Sequence, residues 1–301
     1  MSLIELLSDY TVQTVVLGSA MIGGISGALG CFAYLRRQSL VGDVVSHSAL
    51  LGIVVAFWIG YLVTGEGSKS LLLLIPGALV AGLGALLLTQ TITKYTKLKE
   101  DAGLGVMLAI FFGTGMMVLR FIQRGNPPIP GRAGLDEYLF GMAAAMTRND
   151  LWMIGLLGGL AIAVMLLVWP SLKLMTFDPL YARGLGLRVD RFEVLLLFLL
   201  VVGIVIGLQI AGVVLMISLL VAPACAARQW TNRFGTMVVL AATFGTVSAS
   251  VGAITSAVGN HLPTGPLIVL CVSLVFAVSI AFAPRRGLIF RTFAKRSVHV
   301  D

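Results

Sequence analysis

Two side chains in this sequence have the types and spacing for chemistry. Asp43 and His47 stand four residues apart in Gly42-Asp43-Val44-Val45-Ser46-His47, the only acid–imidazole pair at helical spacing. On a helix they project from one face, about one turn apart. A carboxylate and an imidazole so placed suit a divalent transition metal. One Asp and one His are too few ligands for a buried divalent ion. Two copies across a two-fold axis supply two of each, enough for Mn²⁺ or Zn²⁺. The plainer alternative is that Asp43 N-caps the helix and His47 bonds a backbone carbonyl. The pair opens an apolar run, Val44–Val63, in which an ionisable residue costs about 2.5–3.5 kcal/mol. Gly42 and Gly52 would set it deeper if they mark a broken helix.

The elements that must hold this pair are apolar helices. The chain has 301 residues, of which 58% are hydrophobic and 11% charged, and its mean hydropathy is +1.01. A soluble domain carries roughly 25% charged residues. We therefore expect an all-α integral membrane protein, one transmembrane domain over residues 1–301. The net charge of +8 does not point to nucleic acid, because the basic residues sit in short loops between apolar runs. The start, Met1–Tyr10, has no Lys or Arg, so no cleaved signal peptide is expected. Cys31, Cys225 and Cys271 are far apart and read as buried, inert thiols.

The predicted spans are Thr11–Tyr34, Val44–Val63, Ser70–Thr93, Gly103–Leu119, Leu151–Ser171, Gly235–Val258 and Gly265–Ala283, plus the uncharged run Val194–Ala227. As one helix that run would be about 51 Å long, against a hydrocarbon core of about 30 Å. Split near Gln209–Gly212 it makes two spans and gives nine in all; eight is the alternative. Nine puts the N-terminus outside. The basic loops at 36–37, 94–99, 173–191 and 228–233 and the basic tail then fall inside, whereas eight places the tail outside. Tyr138–Met146 is too short to span and reads as re-entrant or interfacial. Trp58 and Tyr61, and Trp152 and Trp169, are expected as interface anchors. Ser19, Gly23 and Gly27 form one small-residue stripe, and Ser248, Gly252, Ser256 and Gly259 another, both read as packing faces.

The stretch from Leu35 to Gly52, centred on Gly42-Asp43-Val44-Val45-Ser46-His47, resembles the signature of the ABC-3 family, the permease subunits of zinc, manganese and iron ABC importers. Three further stretches are similar to family segments: Tyr138-Leu139-Phe140-Gly141, Phe177-Asp178-Pro179-Leu180-Tyr181-Ala182-Arg183-Gly184-Leu185-Gly186, and Leu219–Arg228 with its Pro223. Leu51 departs from the pattern, where many members have Pro. The resemblance implies a type II ABC importer-like bundle that takes up a divalent metal ion, with Asp43 and His47 as metal-pathway residues. It implies a coupling helix within 173–191, marked by Phe177, Asp178, Pro179, Ala182, Gly184 and Gly186, that docks on an ATPase. Asp178-Pro179 is itself a helix-start signature, and Gly186 a stop.

No permanently bound cofactor is expected. Gly65-Glu66-Gly67-Ser68-Lys69-Ser70 lacks the features of a phosphate loop, so ATP would be hydrolysed by a partner and the chain itself would not be an enzyme. The expected partners are a second permease, identical or paralogous, two ATPase subunits and an extracytoplasmic metal-binding protein, in a bacterial inner membrane. Manganese is favoured by the borderline-hard ligand pair, with zinc and iron as alternatives. A metal/proton antiporter would need more intramembrane carboxylates, whereas Asp150 and Glu193 stand only at span ends. An intramembrane hydrolase would need a nucleophile–base pair or a zinc-protease motif, and neither is present. His261 and His299 read as a solvated turn residue and an incidental tail residue.

Overall fold

The computed structural model describes residues 9–38, 40–65, 71–125, 129–132, 134–135, 141, 146–213, 216–259 and 262–283. Outside the described residues lie 138–140 and most of the expected re-entrant stretch, residues 66–70, Pro127 and Pro128, His261, His299 and the basic tail.

The described residues form helices and no strand. They are α1 (Tyr10–Leu35), α2 (Val41–Thr64), α3 (Leu71–Tyr95), α4 (Glu100–Arg124), α5 (Arg148–Leu167), α6 (Trp169–Phe177), α7 (Pro179–Gly184), α8 (Val189–Ala211), α9 (Met216–Trp230), α10 (Phe234–Val258) and α11 (Thr264–Phe282). Long uncharged runs become helices because hydrocarbon offers the backbone no other partners. Polar residues set several ends. The Asp9 carboxylate accepts from the Thr11 amide at 2.8 Å, and Thr147 with Asp150 closes a capping box.

Eight of these helices are long and apolar enough to cross a membrane. The Val194–Ala227 run breaks where its length demands. α8 ends at Ala211, and Gly212 turns the chain with φ 74°. The helix that follows, α9, has 15 residues and is only about 22 Å long. Its last residue, Trp230, donates from Nε1 to Ser279 Oγ near the end of α11 at 3.0 Å. The C-terminal ends of α9 and α11 therefore share one face.

α8 is the central helix. Its Leu196, Leu197, Leu200, Val201 and Ile204 are buried, and it touches both the α1–α9–α10–α11 group and the α2–α3–α4 group. Each group is drawn tight by glycines. A Cβ on Gly23 would lie 2.3 Å from the Gly245 carbonyl oxygen, and one on Gly27 2.4 Å from that of Ala241. Gly252 lies against the Ile268 backbone in the same way, so both stripes read from the sequence are packing faces. Gly52 has a different role from the one expected. α2 runs unbroken from Val41 to Thr64, and a Cβ on Gly52 would meet the Gly77 carbonyl oxygen at 2.1 Å. The glycine admits α3 instead of breaking α2.

Trp152 is exposed as an anchor should be, whereas Trp169 is partly buried against the hydrophobic core. Pro170 cannot continue α5, so the chain breaks at Val168 and restarts as α6. Trp169 then stacks on Phe234, with centroids 4.9 Å apart and an 8° tilt. Phe32 and Phe177 meet the same Phe234 ring edge-on.

Replacing Gly23 by Val is expected to destabilise the protein by about 1–3 kcal/mol through overpacking. Gly159→Ala, where a Cβ meets nothing within 4 Å, should leave it unchanged. Thermal unfolding of both variants in detergent checks this.

Candidate metal site

The first two turns of α2 hold both candidate ligands. The N-cap is Leu40, with no side-chain cap bond, so Asp43 is not the cap. Its carboxylate is turned along the helix instead, and Oδ1 lies 2.9 Å from His47 Nδ1. The same ring nitrogen is 3.0 Å from the Asp43 carbonyl oxygen, so the backbone contact of the plainer reading is also present. Both acceptors face Nδ1, which fixes the tautomer with the proton there and leaves Nε2 as the basic nitrogen. A histidine that binds metal through one nitrogen usually holds the other in this way.

The pair is neither buried nor bathed in solvent. The side chains of His47 and Asp43 are 20% and 25% exposed. Phe112 of α4 meets the imidazole edge-on, with centroids 4.9 Å apart. Gly115 brings α4 that close, since a Cβ there would sit 3.0 Å from the Leu51 amide nitrogen. α2 is regular through Leu51. Phe112, an apolar residue in an apolar run, carries no mark of this role in the sequence.

Among the described residues no three His, Cys, Asp or Glu side chains cluster as a metal site. The described residues thus offer Asp43 and His47 there and no third ligand of these types. α4, which meets His47 through Phe112, carries Val106, Ile110 and Met117 exposed elsewhere on its surface, with Gly105 and Gly113 open to approach.

The expected coupling segment forms α7. The Asp178 carboxylate accepts from the Tyr181 amide at 2.9 Å, Pro179 takes the first helical position, and Gly186 turns the chain with φ 80°. Ala182 is fully buried, while Phe177, Leu180, Tyr181 and Leu185 are exposed. Gly184 ends the helix.

A membrane bundle with one acid–imidazole pair on an open helix face and one short helix at its basic end has the build of a transport permease. The chain matches the model of the ABC 3 transport family over residues 8–283 and belongs to that family; it is a permease subunit of an ABC transporter. It is 41% identical over 297 residues to the zinc transport system membrane protein TroC of Treponema pallidum, covering 99% of this chain and 97% of that one. It is 40% identical to the manganese transport system membrane protein MntC of Bacillus subtilis, covering 94% of this chain and 63% of the relative. Among solved structures it resembles PsaBC from Streptococcus pneumoniae, solved in complex with Fab, with a TM-score of 0.82, 25% identity and 98% of each chain covered.

Proposed function

We propose that this permease carries divalent transition metal ions inward, manganese ahead of zinc or iron, and that Asp43 and His47 are the side chains that hold the ion in passage. The observation that carries this is the contact of His47 Nδ1 with Asp43, which aims Nε2 away from its own helix. A second copy, identical or paralogous, facing the first across α2 and α4, brings a second carboxylate and imidazole. Four ligands of this kind suit Mn²⁺ or Zn²⁺. Relatives named for zinc and for manganese are similar to this chain to nearly the same degree, so the preference for manganese rests on the ligand types.

Two ATPase subunits dock on the inner loops and supply the energy. The exposed Leu180, Tyr181 and Leu185, next to a buried anchor, are an apolar patch at the basic end of the bundle, where a protein partner fits better than water. Closure of the ATPases alternates access to the pair. An extracytoplasmic metal-binding protein delivers the ion from the other side of a bacterial inner membrane. The antiporter reading finds no support. Asp150 is engaged in its capping box and Glu193 is paired with Arg36, which leaves no proton relay among the described carboxylates.

Asp43→Asn and His47→Gln should each assemble normally yet lower Mn²⁺ uptake at least tenfold in proteoliposomes that hold the whole transporter. Uptake at the wild-type rate in either would remove the ligand assignment. A cysteine placed at Gly113 should form a disulfide-linked permease pair on oxidation, whereas one at Gly159 should not; gel mobility reads both. Leu180→Arg is expected to release the ATPase from a co-purified complex while the permease stays folded, as seen in pull-down yield.

A further inference from the structure

The link between α1 and α2 is built from charged and polar residues that the metal site does not use. α1 ends in a paired-bond cap. The Gln38 amide donates to the Ala33 carbonyl at 2.9 Å, and the Arg37 amide to Tyr34 at 3.1 Å. This geometry places the donor of the inner, shorter-range bond in the left-handed region, usually as glycine. Here that residue is Arg37, with φ 59°. A non-glycine residue held there is sustained by its surroundings.

Those surroundings are two side-chain bonds. Arg36 Nη2 donates to Glu193 Oε1 in the first turns of α8. Gln38 Nε2 donates to Glu100 Oε1, the first residue of α4, at 2.5 Å. Gln38 is 6% exposed. Its own Oε1 has no hydrogen-bond partner, nor does Arg36 Nη1, although both atoms are buried. The four groups line a cavity of about 650 Å³ with Lys94 and Arg183. The network thus has buried capacity left over and room in which to exchange partners.

Each bond leads to one side of the Asp43–His47 pair. Glu193 follows α7 on the same chain, and Arg183 of α7 reaches Asp190 of α8 at 3.3 Å. Arg36 sits just before α2, which carries Asp43 in its first turn. Glu100 starts α4, which carries Phe112 against His47. A helix moves as a stiff rod over such lengths, so a displacement at its inner end reaches these side chains.

We propose that Arg36 and Glu193 are positioning residues that pass movement of the Pro179–Gly184 helix to the helix bearing Asp43 and His47, with Gln38 and Glu100 carrying the same movement to α4. This rests on the proposed docking of an ATPase on α7 and of the ion on Asp43 and His47. Neither Arg36 nor Glu193 touches the ion.

The test uses the assembled transporter in proteoliposomes and reads Mn²⁺ uptake and ATP hydrolysis in the same preparation. Glu193→Gln and Arg36→Met are expected to lower uptake at least tenfold, while hydrolysis and the yield of complex stay within about twofold of wild type. The exchange Arg36→Glu with Glu193→Arg should restore at least a third of wild-type uptake. Wild-type uptake in the single variants would overturn the proposal. So would a joint fall of uptake, hydrolysis and yield without rescue by the exchange, since that marks a merely structural bond. Asp43→Asn, run alongside, separates the two layers. Normal uptake in that variant would fault the ion site itself, whereas its loss beside intact Glu193→Gln uptake would fault only the link.

Discussion

The constraint on which this molecule turns is the cost of holding a largely buried carboxylate at the start of an apolar, membrane-long helix. Asp43 meets it locally by accepting from His47 one turn along the helix. The contact does two things at once. It offsets part of the desolvation of the acid, and it occupies Nδ1 of the imidazole so that the second nitrogen is left uncommitted by this contact. A straight helix presents two such groups on one face and no more. Among the described residues no further ligand stands beside them, and for the proposed ion site two-fold symmetry is the least elaborate source of the rest.

Small residues turn that local contact into a site. In lipid, apolar side chains gain nothing by leaving the solvent for one another, so helices associate through close backbone contact. Gly52 against Gly77 fixes α2 on α3, and Gly115 against Leu51 fixes α4 on α2. The second of these sets the distance from Phe112 to His47. The glycines that pack α1 on α10 do the same for the other half, and α8 joins the halves with a fully apolar midsection. The charged residues are left at the rim, where Arg36–Glu193 and Gln38–Glu100 tie helix ends rather than helix middles.

What the sequence revealed follows from which forces act locally. The Asp43–His47 spacing, the break near Gly212, the small-residue stripes and the Asp178-Pro179 start are short-range patterns, and each has its counterpart in the fold. Gly52 could be read as a kink or as a crossing point, and only the position of Gly77 decides between them. Trp169 has the composition of an interface anchor, but Pro170 redirects it onto Phe234. Arg36 and Glu193 are 157 residues apart, and nothing in either neighbourhood names the other. The α1 cap carried no signal because its usual marker, glycine, is replaced by Arg37.

The choice of ligands also bears on why such a site would release what it holds. A permeation site must bind well enough to take up an ion and loosely enough to let it go. Thiolates would bind zinc too firmly and favour copper(I). The cysteines are kept from that role. Cys31 is buried with Sγ directed at the carbonyl oxygens of Gly27 and Met237, at 3.5 and 3.8 Å. Cys225 and Cys271 stand on α9 and α11, as free thiols outside the Asp43–His47 helix. A carboxylate and a neutral imidazole give weaker bonds that shift with small changes in distance. On the proposed pairing of two copies, each on its own stiff helix, the ion would be lost when the helices part by a fraction of a turn's rise, and the affinity would follow the separation of two rods, a quantity that movement at their inner ends can change.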